Sequence, residues 1–167
     1  MVREEHGNLL RADVDALVNT VNTVGVMGKG IALQFKRAYP DMFKEYERAA
    51  KANRIQVGEM FVWETGALDG PRFIVNFPTK RHWRSASRLD DIALGLRHLA
   101  AVIDSHGIRS IAIPHSDAGT ADWTGPRWPH SSGTHYVRWQ PMWRSWFSHP
   151  RALHQPRICP LEPRPRG

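Results

Sequence analysis

"NTVNTVGVMGKGIALQFKRAYP", residues 19–40, sets two asparagines three positions apart, packs three glycines around a lysine, and runs directly into a helical pattern. The apolar run that leads into it, "DALVNTV" at residues 15–21, is bounded by polar residues, as a buried strand is. After the glycines, "IALQFKRAY" places Ile31, Phe35 and Ala38 on one helical face, and Pro40 stops the helix. Strand, glycine loop and helix in that order put the loop at a strand's carboxyl end, where open parallel sheets bind ligands.

Gly25, Gly28 and Gly30 permit positive φ and let a ligand approach backbone N–H groups. A helix starting at Ile31 offers unpaired donors and a positive dipole end, which suit a phosphate. The spacing fits neither the G-x-x-x-x-G-K-[ST] loop nor the G-x-G-x-x-G fingerprint. On these residues alone the loop is either a phosphate site or a structural turn. Asn22 carries two donors and an acceptor, enough to hold sugar hydroxyls or to bond its own loop.

Further along, Asp41 can cap a second helix, "MFKEYERAAKA", with Met42, Tyr46 and Ala49 inward. Residues 58–65 and 72–79 read as strands separated by the turn "GALDGP". "SRLDDIALGLRHLAAVIDSHG" is the clearest helix, with Ser87 as cap, Ile92, Leu96, Leu99 and Ile103 toward the core, and Gly107 ending it. Residues 108–114 form another strand. This alternation predicts an α/β fold with a mostly parallel sheet covered on both faces. Lys80 follows a strand end in "NFPTKRHW", on the ligand side. A lysine there binds phosphate, acts as an acid or base if partly desolvated, or is simply solvated.

The 167 residues suffice for one domain with a real core. A net charge of +7 points to an anionic partner such as nucleotide, nucleic acid or phosphate, or to an inert basic surface. Cys159 is the only cysteine, which excludes an internal disulfide framework and fits a reducing compartment. Nine histidines show no paired ligand spacing, so no metal site is expected. No apolar run approaches the roughly 18 residues of a membrane span, and "MVREEHGN" does not resemble a signal peptide. The expectation is a soluble cytoplasmic protein with no membrane association.

Taken together, "GNLL", "DALVNTVN", "GVMGKGIALQFK", "NFPTKRHWR" and "SIAIP" resemble a macrodomain, and more narrowly the DarG-type antitoxin macrodomains, which remove ADP-ribose from thymidine bases in DNA. The likeness runs from about Gly7 to Pro114. It implies a three-layer α/β/α fold with a mixed, mostly parallel sheet, an ADP-ribose cleft, and no metal or redox cofactor. By position, Asn22 is implied to contact the ribose at the scissile bond and Lys80 to be the catalytic lysine. Gly28, Lys29 and Gly30 are implied as the first diphosphate loop, with Ile31, Asn19 and Leu9 also against ADP-ribose. Asn8 stands where most macrodomains carry an aspartate that reads the adenine amino group. Arg81, His82 and Trp83, with Arg84 beside them, fit contacts to a DNA-borne substrate. The implied partners are ADP-ribose, ADP-ribosylated DNA and a cognate ADP-ribosyltransferase toxin, with the chain itself a monomer. Such antitoxins usually carry a further toxin-neutralising region, for which 167 residues leave no room. A non-catalytic ADP-ribose-binding module is the alternative. A nucleic-acid-binding protein using a basic, tryptophan-rich tail is a third reading.

The family pattern breaks after Pro114. A second glycine loop resembling "PLGCGNGGLDW" is due there, and "HSDAGTADW" stands in its place. Residues 115–167 hold five of the seven tryptophans, eight of the twelve prolines, seven arginines and no lysine, without a convincing period. They read as an aberrant, disordered basic tail. Back-translation in a frame starting at the third base of each preceding codon permits "LGCGNGGLDWAEVA" from residues 115–129 and "LRALAADVEVLVLPP" from residues 135–150. The first is the missing loop and a helix start; the second is a helix end, a strand and Pro-Pro. One lost C in a run encoding Pro-Pro-Leu converts "PPLG" to "PHSD". The expectation is a macrodomain core at residues 1–114, incomplete beyond, with a frameshift at the join. On this reading the chain lacks the second diphosphate loop, a helix and the final strand.

Overall fold

Strand β2 (Ala16–Asn22) occupies the middle of the sheet because it is apolar on both faces, as a strand covered by helices on both sides must be. The computed structural model describes residues 2–114 and 135–139. The other strands are β1 (Val2–His6), β3 (Phe61–Glu64), β4 (Phe73–Lys80), β5 (Ile111–Pro114) and β6 (His135–Trp139). They form one sheet in the order β1-β6-β5-β2-β4-β3. β2 runs parallel to β4 and to β5, whereas β3 and β6 pair antiparallel to their neighbours. Four strands therefore point one way and two the other, the mixed and mostly parallel sheet expected.

Helices α1 (Gly30–Ala38) and α2 (Pro40–Lys51) cover one face, packing Phe35, Met42 and Tyr46 onto Leu17, Val21 and Ile74. Helix α3 (Leu89–Ser105) covers the other, with Leu99, Val102 and Ile103 against Ala16, Val18, Val75 and Phe77. The alternation of Ala16 and Val18 with Leu17 and Val21 between these clusters is the period-2 signature of the strand. Each layer is substantial: truncating a fully buried residue such as Phe35 costs about 3–5 kcal/mol.

Several local expectations need correction. Pro40 does not merely end α1; it opens α2 at the first helical position, where its missing N–H costs nothing, and Tyr39 rather than Asp41 is the cap residue. Asp41 instead pairs with Lys44 on the exposed first turn at 2.8 Å. Arg88, not Ser87, caps α3, and no side chain bonds the helix end. Ala38 is exposed, whereas Ile31 and Phe35 face inward. Gly107 does end α3, at φ 59°.

The expected tail from residue 115 also needs correction over one stretch, since His135–Trp139 forms β6 between β1 and β5. The chain therefore has a final strand. "HYVRW" is built of β-branched and aromatic types suited to a strand, and it satisfies two rows of backbone groups that would otherwise stand as open edges. The rest of that call, residues 115–134 and 140–167, lies outside the described residues, as do the expected second loop and helix positions. No helix among the described residues is long and apolar enough to cross a membrane.

Candidate functional site

The carboxyl ends of β2 and β4 carry the site. Asn22 and Lys80 end these two parallel strands as register partners, and a shift in register between Val21 and Asn22 marks a break in the ladder there. The loops that follow are tied together: the Thr23 N–H donates to the Lys80 carbonyl at 3.0 Å and the Thr23 hydroxyl to the Arg81 carbonyl at 2.6 Å. Strand pairing thus continues into a cross-loop clasp that fixes Lys80 beside the asparagine loop.

Within that loop the Asn22 amide bonds the backbone of its own loop through both its oxygen and its nitrogen. Its oxygen accepts from Val24 N at 3.1 Å and Val26 N at 3.2 Å, and its nitrogen donates to Val26 O at 2.6 Å. The loop-bonding role open to Asn22 from sequence is therefore realised. Gly25 makes the fold-back possible. It sits at φ +84°, and a Cβ there would lie 3.1 Å from that of Ala50 on α2. Gly30, at φ +60°, also uses glycine's freedom, whereas Gly28 does not.

Tyr46 is a supporting residue that the sequence marked only as inward-facing. Its buried hydroxyl donates to the Asn22 carbonyl beneath the loop. Burial raises its pKa from 10.0 to about 12, against smaller opposing contributions from the Asn22 and Gly25 backbone. The folded chain thus keeps a proton that the unfolded chain releases. The associated stability is complete below about pH 10 and is lost as pH rises through about 12. Tyr46→Phe is expected to lower unfolding stability in urea by about 1–3 kcal/mol, because it leaves a buried carbonyl unpaired, and to flatten that alkaline loss. An unchanged midpoint would remove Tyr46 from the support of the loop.

Asn19 lies fully buried, one layer below the cleft. Its nitrogen donates to Asn76 Oδ1 at 2.9 Å, and Asn76 donates in turn to the Phe61 carbonyl at 3.3 Å. This amide bridge joins register partners across β2 and β4. Asn19 thus braces the two strands through its nitrogen, while its oxygen has no partner among the described residues. Leu9 is likewise fully buried in the core, while Asn8 spends its oxygen on Leu10 N at 3.0 Å, starting the 3-10 turn Leu9–Arg11.

Lys29, the cap residue of α1, is exposed and has no side-chain cap bond, so the first turn of α1 opens onto the same region. An open cleft of about 340 Å³ is lined by Lys29, Lys80, Trp83, Arg84, Ser85 and Ala86. Its lining holds three cations and no carboxylate, an environment that favours an anion. The segment after β4 divides its roles. Arg81 is held by Asp91 of α3 at 3.0 Å. His82 stacks on Trp83 with centroids 5.4 Å apart, and the Arg84 guanidinium lies 4.3 Å from the Trp83 ring centre. The structure thus brings Lys29, Lys80, Trp83 and Arg84 of the expected residues together in one lining. Among the described residues no three His, Cys, Asp or Glu gather as a metal site would require.

Comparison with known proteins shows the family. The Macro domain family model matches residues 18–124. The chain is 56% identical over 125 residues to the DNA ADP-ribosyl glycohydrolase of Mycobacterium tuberculosis, covering 74% of this chain and 36% of that relative. It therefore spans about a third of that relative's length. The macrodomain of Mycobacterium tuberculosis DarG superposes with a TM-score of 0.68 at 58% identity, over 70% of this chain and 78% of that one. Thermosipho africanus DarTG, solved in complex with ADP-ribose, superposes with a TM-score of 0.60 at 30% identity, over 64% of this chain and 31% of that one.

Proposed function

The chain belongs to the macrodomain family, and from that premise we propose that it is built to bind ADP-ribose and hydrolyse its linkage to thymidine in DNA. Its role is that of an antitoxin opposing an ADP-ribosyltransferase in the cytoplasm. The observation that carries this reading is the juxtaposition of Lys80 with Lys29 and the open end of α1 in one cation-lined cleft beside Asn22. Lys29 and the free N–H groups of α1 suit the diphosphate. Lys80 stands where the ribose-to-base bond would lie.

Cleavage of that bond passes through an oxocarbenium-like state, in which the base leaves with a proton and water adds to the sugar. Lys80 serves this step by protonating the base or by holding the opened sugar through its amine. Asn22, locked in its loop, supplies a preorganised wall for the ribose. On this reading residues 1–114 carry most of the macrodomain core, with β6 completing the sheet, and the lack of a second glycine loop after Pro114 impairs activity of the chain as written.

The test is release of ADP-ribose from an oligonucleotide ADP-ribosylated on thymidine, followed by chromatography. Release by the frame-restored chain supports the proposal. If that chain binds ADP-ribose and releases none, the non-catalytic binding module becomes the reading.

A further inference from the structure

We infer that Arg84, held over Trp83, is the residue that grips a phosphodiester of single-stranded DNA next to the modified nucleotide, and that Arg81 is an anchor with no such role. This inference rests on the DNA-directed reading above. The run "KRHWR" offers two arginines that are indistinguishable in sequence. The fold separates them. Arg81 is neutralised by Asp91, whose carboxylate takes the guanidinium nitrogen at 3.0 and 3.3 Å, pinning the start of the loop to α3. Its charge is matched and its donors are partly spent. Arg84 pairs with no carboxylate among the described residues and lines the same cleft as Lys29 and Lys80.

The stack gives Arg84 a defined position. Its guanidinium lies 4.3 Å from the Trp83 ring centre, His82 stacks on the same indole, and the Arg84 backbone N–H donates to His82 Nδ1 at 3.3 Å. Stacking on an aromatic ring leaves the in-plane N–H donors of an arginine free, and their fork matches two phosphate oxygens. Trp83 remains 41% exposed, so the platform faces solvent at the mouth of the cleft. A nucleobase can reach Lys80 only if it is unpaired, so the strand crossing this rim is single-stranded, with its backbone phosphates at the mouth. Lys29, on the α1 side of the cleft, is left for the ligand's own diphosphate.

The test uses the full chain and a fluorescein-labelled thymidine oligonucleotide, with anisotropy measured between about 50 and 200 mM salt. Arg84→Ala is expected to weaken binding and to reduce the log–log salt slope by about 0.7, the loss of one single-strand phosphate contact. Arg84→Lys should keep the slope and weaken binding, because the charge stays while the fork and stack are lost. Arg81→Ala should leave the slope alone and lower Tm. A wild-type slope in Arg84→Ala, alongside salt-dependent binding by the wild type, overturns the inference and leaves the DNA-directed reading standing. An equal slope change in Arg81→Ala also overturns it. Absence of oligonucleotide binding by the wild type at the lowest salt removes both the inference and the DNA-directed reading.

Discussion

Replacing Lys80 with alanine in the frame-restored chain is expected to lower release of ADP-ribose from modified DNA by about 10²–10⁴-fold, the usual contribution of a positioned acid or base. Affinity for free ADP-ribose should change little. The separation follows from where the lysine sits. Lys80 ends β4 beside Asn22, while the α1 turn and Lys29, which suit the diphosphate, belong to a different loop. An interaction made only with the breaking bond lowers kcat and leaves binding intact. The same protein distinguishes the two roles open to the amine. Borohydride added during turnover traps a lysine–sugar imine as a stable adduct on Lys80, whereas a proton donor leaves nothing to reduce. Release at the wild-type rate by Lys80→Ala would exclude both roles and assign the chemistry to another group of the cleft.

The layout of the core was legible because its strongest signals are local. The apolar run into Asn22, the amphipathic face of α3 and the strand before Lys80 each lie within a single element, and all three appear as expected. The outer half of the sheet was not legible. β1 and β6 enter the sheet by pairing between distant segments, β6 joining β1 to β5 across more than a hundred residues. No local period announces such a partnership.

At the site, sequence placed Asn19 and Asn22 on the ligand together, as a motif read letter by letter suggests. Alternation along a strand assigns residues 19 and 21 to one face, and the structure puts Asn19 beneath α1 and α2 as a brace to Asn76. Spacing alone already separates the faces of residues 19 and 22. The distinction between Arg81 and Arg84 was not in the spacing, because it depends on Asp91 arriving from the next helix. Tyr46 was placed inward correctly, but its bond to the Asn22 carbonyl depends on how α2 crosses the loop.

Restoring the reading frame after Pro114 is expected to strengthen ADP-ribose binding by about 10²-fold or more. The described cleft has one clear wall, formed by Lys29, the α1 turn and the Lys80–Ala86 segment, and it is open. A diphosphate held from one side meets a few donors and much water. A second glycine loop after β5 would add backbone donors opposite the first; hydrogen bonds to a charged group are worth about 1.5–3 kcal/mol each, so two such donors give about 10²-fold or more. β5 ends at Pro114 and runs parallel to β2, whose own carboxyl end carries the asparagine loop. Calorimetry on both chains measures the difference, and micromolar binding by the 167-residue chain as written would show that the second loop is dispensable. The frame itself is decided at the nucleotide level. One base missing from the run encoding the residues after Ile113 supports the shift, and an uninterrupted frame through His115 in related strains overturns it. In that second case "HYVRW" is the strand this lineage selected for β6, and affinity would have to come from the basic residues on the near side of the cleft, Lys29 and Arg84 first among them.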